Sequence, residues 1–259
     1  MRSRELVFLM YHELERPGRP TCQAAAGYVR YVVPEFHFRD QMLWLRSNGW
    51  RGMSVGEALT FPKGPGLAIT FDDGCETDLL VAAPLLKQIG SHATFFVTTG
   101  FLGKSGYMSI SQLRELAALN FEIGCHSLTH AYLCDLDDKG LHREIVESKS
   151  RLEQILGTIV THFSCPGGRY DLRTARVVKD AGYRSMSTSR IQRNSSSTDP
   201  FGLGRIAVLR DSTPSAFQAI CEGRGLWKSK FRAGVQDAAK GLLGNSVYDR
   251  VRGLLIRDA

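Results

Sequence analysis

Two carboxylates stand side by side where an apolar run ends. The stretch LAITFDDGCETD, Leu67 to Asp78, places Asp72 and Asp73 directly before Gly74. Carboxylates are costly to desolvate without a partner, so a pair at this position asks for a cation or for proton chemistry. Neighbouring side chains of a regular strand point to opposite faces, and both can address one site only if the strand stops there. Gly74 permits such a turn. The same triplet also suits an ordinary turn or a helix cap. Further along, CHSLTH sets His126 and His130 at positions i and i+4 after another short apolar run. On a helical turn that spacing puts both imidazoles on one face, where they could share a metal, although solvent-facing histidine pairs have the same spacing. Two imidazoles and one carboxylate make three ligands and leave positions for water and substrate, the arrangement of a catalytic site. Asp73 could then bind the metal while Asp72 stays off it as a base. A metal lowers the pKa of water from about 15.7 towards about 7, and a positioned base adds roughly 10²- to 10⁴-fold.

Such residues need a frame. Short β-rich runs alternate with segments of helical period, the pattern of parallel βα units. Strands are expected at 6–10, 67–71, 93–97, 121–125, 161–165, 183–186 and 205–209, and helices at 38–47, 77–89, 109–119, 137–156, 172–181 and 214–221. Seven such units predict an α/β fold, a barrel that is closed or incomplete, with chemistry where strands end. Asp72 and Asp73, His126 and the PGGRY segment all fall at those ends. The segments 13–33 and 187–200 are expected to be exposed loops at the rim of the site. A barrel domain over 1–225 and a basic amphipathic helical tail over 226–259 complete the expected organisation.

Composition narrows the partners. The 259 residues carry a formal net charge of +7, and much of the excess lies between Arg224 and Arg257. No aromatic-basic signature of RNA-binding sheets and no zinc-finger spacing accompanies it, so nucleic acid is not expected as a partner. The charge reads as a solvated face, with contact to an anionic membrane or a polysaccharide-assembly partner as the alternative. The run Val7 to Tyr11 is too short for a signal-peptide core, and no stretch is long enough to span a membrane. The expected location, absent a removed leader, is therefore the cytoplasm, with or without peripheral membrane contact. The six cysteines are scattered through a chain large enough to fold without disulfides, and they read as reduced thiols. Cys75, Cys125 and Cys165 each border a motif and are expected to pack as small residues rather than to bind metal.

Taken together, TFDDG (Thr70 to Gly74), HSLTH (His126 to His130) and FSCPGGRYD (Phe163 to Asp171) resemble the three leading motifs of the polysaccharide deacetylases, carbohydrate esterase family 4. The resemblance runs from about Leu6 to Val208 and includes MYH, ATFFV, EIGCH and GLGRIAV. It implies a distorted (β/α)7 barrel, TIM-barrel-like, and metal-dependent hydrolysis of N-acetyl groups from amino sugars, usually within a polysaccharide. By position, Asp72 is implied as the base, with Asp73, His126 and His130 holding the metal, commonly zinc, with cobalt, nickel or manganese in relatives. Pro166, Gly167, Gly168 and Arg169 are implied as one wall of the substrate groove.

Three departures from the family pattern matter. Ser164 stands where an arginine often orients the base, which leaves Arg169 or Arg205 as the substitute. Gly167 stands where an aromatic residue gives its backbone N–H to the oxyanion, and glycine retains that donor. The family's late histidine, the general acid, has no counterpart, because no histidine follows His162. His37, His92, His142 and His162 read as surface or capping residues. His12 differs, since FLMYHEL puts it where the first strand ends. It resembles the Tyr-His pair near the N-terminus of deacetylases acting on poly-N-acetylglucosamine, which makes it the expected acid. A deformylase acting on a lipid-linked amino sugar, or a sugar-binding relative that has lost turnover, would carry the same motifs.

Overall fold

The computed structural model describes residues 5–60 and 66–226. The expected tail over 226–259 lies outside the described residues from 227 onward. Seven parallel strands carry the fold: β1 (Phe8–Tyr11), β2 (Gly66–Phe71), β3 (Thr94–Val97), β4 (Glu122–Cys125), β5 (His162–Ser164), β6 (Ser185–Ser187) and β7 (Ile206–Ala207). Their order across the sheet is β7-β1-β2-β3-β4-β5-β6. The two ends approach through an isolated parallel bridge between Ser187 and Leu203, so the sheet curls into the expected distorted barrel.

Between the strands run α1 (Glu35–Ser47), α2 (a π turn at Asp78–Ala82 continued by Ala83–Gln88), α3 (Ile110–Ala118), α4 (Asp138–His142, a π turn at Arg143–Glu147, then Ser148–Leu156), α5 (Leu172–Asp180) and α6 (Pro214–Cys221). Their starts follow local chemistry. Ser109 and Gln112 form a reciprocal capping box on α3, and the Asp171 side chain accepts from Thr174 N–H at the head of α5. Alternation along the strands then sorts side chains into two cores. Leu9, Ile69, Phe95 and Val97 belong to the larger cluster under the helices, while Phe8, Ala68, Phe96 and Leu203 form a smaller one inside the barrel. On the helix side, Tyr11, Phe71 and Phe95 stack in sequence with ring centroids 5.2 and 4.9 Å apart. Such pairs contribute about 0.5–1.5 kcal/mol beyond burial, and this row ties together the ends of β1, β2 and β3.

Several expectations change in the structure. An eighth strand, Arg51–Met53, pairs with the first half of β2 beside a helix at Val55–Thr60. Its residues, Arg51, Gly52 and Met53, form no β-rich run that would announce it. The segment 13–33 is not a plain exposed loop: Glu13, Leu14, Val32 and Val33 are buried, and Leu14–Glu15 pairs with Val33–Pro34. In the segment 187–200, Asn194 is buried and bridges to Leu6. His162 is buried too, with Nδ1 2.8 Å from Ser185 Oγ and Nε2 3.6 Å from Glu122 Oε2, because the first residue of β5 faces into the barrel. No helix among the described residues is long and apolar enough to cross a membrane.

Candidate active site

The strand β2 delivers the carboxylate pair. Asp72 N–H continues its ladder by donating to Tyr11 O at 3.0 Å, and then the chain turns sharply. Asp73 has φ 81° and Gly74 φ 82°. Asp tolerates this left-handed region better than most residues, at a cost on the order of 1 kcal/mol or more. The turn brings both side chains to one place. Asp72 Oδ2 lies 3.8 Å and Asp73 Oδ1 3.6 Å from the same atom, His126 Nε2.

The histidines follow β4, but not on a helical turn. Residues 126–130 form a loop in which Ser127 (φ 68°) and His130 (φ 65°) are left-handed. Two bond sets hold it. Ser127 Oγ accepts from His130 N–H at 3.0 Å, and the buried Glu144 carboxylate accepts from Leu128 N–H (3.0 Å), Thr129 N–H (2.8 Å) and Thr129 Oγ–H (2.6 Å). These bonds satisfy a backbone that helix formation would otherwise have satisfied, so i,i+4 proximity arises by another route. Nothing in the sequence marked Glu144, which sits in the π turn of a largely polar helix.

His126 Nδ1 is 2.8 Å from Ser164 O. A carbonyl can only accept, so Nδ1 carries the proton and Nε2 keeps a free lone pair. Burial, opposed by Asp72 and Asp73, pushes the His126 pKa down to about 4, which favours the neutral ligand form. His130 Nε2 lies 3.5 Å from Asp73 Oδ1. Asp73, His126 and His130 thus each offer one atom within 4.8 Å of the others. Asp73 Oδ1 is buried with no hydrogen-bond partner. One carboxylate and two imidazoles around an unpartnered oxygen fit a divalent first-row metal such as zinc.

Asp72 is held differently. Arg205 Nη1 and Nη2 donate to its two oxygens at 2.7 Å each, and Nη2 also donates to Ser164 Oγ at 2.7 Å. Arg205 stands just before β7 and reaches up the barrel interior over the Phe96 ring, fully out of solvent. Burial alone would raise the Asp72 pKa, but Arg205 and then His126 outweigh it and hold the carboxyl well below the usual range. Of the two substitutes considered for the missing arginine, Arg205 touches Asp72, whereas Arg169 lies 4.9 Å over the Tyr132 ring.

The other expected residues border this centre. Pro166–Gly168 form a short 3-10 turn in which Gly167 has φ 62°. A Cβ on Gly167 would lie 2.6 Å from Tyr132 Cε1, so Tyr132 occupies the space a side chain there would need. Gly168 is likewise left-handed, at φ 70°. His12 follows β1 with its ring 4.9 Å from that of Tyr31 and its Nδ1 buried without a hydrogen-bond partner. Burial lowers the His12 pKa, and the charges of Asp73 and Asp72 oppose that shift, so the ring stands within electrostatic reach of both.

Known proteins resemble this chain in sequence and in fold. The sequence profile described as "Polysaccharide deacetylase" matches residues 62–186, a span holding Asp72, Asp73, His126, His130 and the Pro166 turn but neither His12 nor Arg205. The Bacillus subtilis protein YxkH, named for that family, is 29% identical over 224 residues, covering 84% of this chain and 76% of its own. The chitooligosaccharide deacetylase of Azorhizobium caulinodans is 30% identical over 169 residues, covering 61% of this chain and 79% of its own. Among solved structures, the Streptococcus pyogenes deacetylase PplD, in complex with acetate, superposes with a TM-score of 0.75 at 21% identity over 85% of this chain and 99% of that one. Motifs, barrel and relatives converge, and the chain belongs to the polysaccharide deacetylase family.

Proposed function

We propose that this protein hydrolyses N-acetyl groups from amino-sugar residues of an oligosaccharide or polysaccharide, with a divalent metal, zinc foremost, held by Asp73, His126 and His130. The observation that carries this reading is the pairing of an unpartnered Asp73 oxygen beside two imidazoles with an arginine-clamped Asp72 at the same spot. A bound metal would polarise the acyl oxygen and acidify water there. Asp72 takes the proton of the attacking water. Arg205 and Ser164 fix the Asp72 oxygens, which lowers its basicity but holds it ionised and aimed. Gly167, exposed in its turn, gives its backbone N–H to the oxyanion, and Pro166, Gly168 and Arg169 shape the groove wall. His12 protonates the departing amine, a poor leaving group otherwise.

The substrate class rests on the family and on the relative named for chitooligosaccharide. The Tyr11-His12 pair favours an exopolysaccharide of the poly-N-acetylglucosamine kind. The barrel over 1–225 would be the catalytic unit, and contact of the segment 226–259 with an anionic membrane or an assembly partner rests on its sequence charge alone. Incubation with N-acetylglucosamine oligomers and their N-formyl counterparts tests the reading. Acetate release that a chelator abolishes is the expected result. Formate release without acetate release would make the protein a deformylase, and binding without release of either would make it a sugar-binding relative.

A further inference from the structure

A second group of ligand-type side chains lies beside the carboxylate turn. Glu13, Cys22 and Cys75 each offer one atom, and those atoms lie within 4.8 Å of one another. They come from three segments: Glu13 follows His12, Cys22 lies in the loop beyond, and Cys75 lies two residues after Asp73. Glu13 and Cys75 are buried, Cys22 half so.

The spacing of the sulfurs discriminates between uses. Cys22 Sγ and Cys75 Sγ are 3.6 Å apart. A disulfide requires about 2.05 Å. Two thiolates at about 2.3 Å from one tetrahedral metal lie roughly 3.8 Å apart, which is close to the distance found. Glu13 is oriented as a ligand would be. Its Oε2 accepts from Cys22 N–H at 2.8 Å and Tyr28 Oη–H at 3.1 Å, and its Oε1 accepts from Arg19 Nη1 at 3.0 Å. A carboxylate oxygen has about two acceptor positions, so Oε1 keeps one. Tyr28 Oη also lies 3.5 Å from Cys75 Sγ, and Cys22 Sγ lies 3.1 Å from Gly106 O.

An independent observation points to a cation. Asp78 is fully buried, and neither of its carboxylate oxygens has a hydrogen-bond partner. Its backbone N–H donates to Cys75 O at 3.0 Å, and Cys22 and Glu13 stand within electrostatic reach of its carboxyl. Burial raises its pKa, and the charges of Asp73, Cys22 and Glu13 raise it further. A buried carboxylate without donors is expensive unless a proton or a metal answers it.

We propose that Glu13, Cys22 and Cys75 form a second divalent metal site of the thiolate type that zinc prefers, with the carboxyl of Asp78 as a nearby charge. Three protein donors leave the fourth tetrahedral position to water. Binding releases the two thiol protons, with no electron transfer. The ion staples Glu13, the neighbour of His12, to the turn that carries Asp73. Cys75 is then a ligand and not a packing thiol.

The test uses the full chain carrying His126→Ala and His130→Ala, reduced, stripped and loaded with Co²⁺. This background leaves the second site alone, so its result is separate from that of the deacetylase reading. One Co²⁺ per chain with an intense thiolate-to-cobalt charge-transfer band is expected, and Cys22→Ser, on a half-exposed loop, should lose both while keeping the circular dichroism and melting transition of the metal-stripped parent. Asp78→Asn should weaken Co²⁺ binding about tenfold or more. Bound Co²⁺ without the thiolate band, unchanged binding in Cys22→Ser, or a Cys22–Cys75 disulfide in protein isolated with zinc present would each overturn the site. Unchanged affinity in Asp78→Asn would show that its charge does not act on the site.

Discussion

At the scale of single residues, environment assigns different work to chemically identical groups. Asp72 is clamped by a guanidinium through two bonds of 2.7 Å, whereas Asp73 keeps an oxygen without a partner. Arg205→Met should therefore leave a buried carboxylate unpaired and destabilise the fold by about 3–5 kcal/mol, read from denaturant unfolding. It should also change the pH dependence. A carboxyl whose folded pKa is depressed contributes stability that is present above its unfolded pKa of about 3.9 and is lost as pH falls through the lower folded value. Arg205→Met should lose that contribution, and a stability curve parallel to wild type between neutral and acid pH would contradict the account. His12→Ala should keep fold and metal and slow deacetylation by roughly 10²-fold or more, with less effect on substrates whose leaving amine needs no proton. An unaltered kcat would remove His12 from the reaction.

Elements decide which of these residues meet, and here the sequence was readable to an uneven degree. Each of the seven barrel strands and six main helices was legible because hydrophobic period and flanking turn residues agree over their lengths, and α6 matches its expected bounds of 214–221. The Arg51–Met53 strand was not, since Arg51, Gly52 and Met53 form no β-rich run. The histidine loop illustrates a different limit. His126 and His130 were recognisable by type and spacing, yet the expected helical turn is a loop with two left-handed residues, pinned by Glu144 from 15 and 16 positions away. Long-range hydrogen bonds leave no periodic trace. The choice between Arg169 and Arg205 was open for the same reason, since only the curled sheet brings the start of β7 beneath the end of β2. Glu144→Gln should loosen the loop and lower metal affinity about 10- to 100-fold without unfolding the barrel, as read by competition with a chromogenic chelator. Unchanged affinity would show that the loop holds its shape without this carboxylate.

Across the whole molecule, the barrel separates two polar regions with the small inner core of Phe8, Ala68 and Phe96 between them. The lower region holds His162 with Glu122, and its histidine is kept neutral chiefly by burial, against the pull of the Glu122 charge. Because the folded pKa lies below the unfolded value of about 6.5, this group costs stability as pH falls beneath that value and nothing above it. His162→Gln should therefore flatten the decline in melting temperature between pH 7 and 5, and an unchanged slope would place the pH sensitivity elsewhere. The upper region is where the proposed chemistry gathers, and the central claim concerns how its two neighbouring aspartates divide the labour. Metal content and acetate release, measured together on full-length Asp72→Asn and Asp73→Asn, test it most directly. Asp72→Asn should retain metal at the histidine site and lose turnover by roughly 10²-fold or more, while Asp73→Asn should lose both. Equal metal loss in the two variants, or acetate release undiminished in Asp72→Asn, would contradict it.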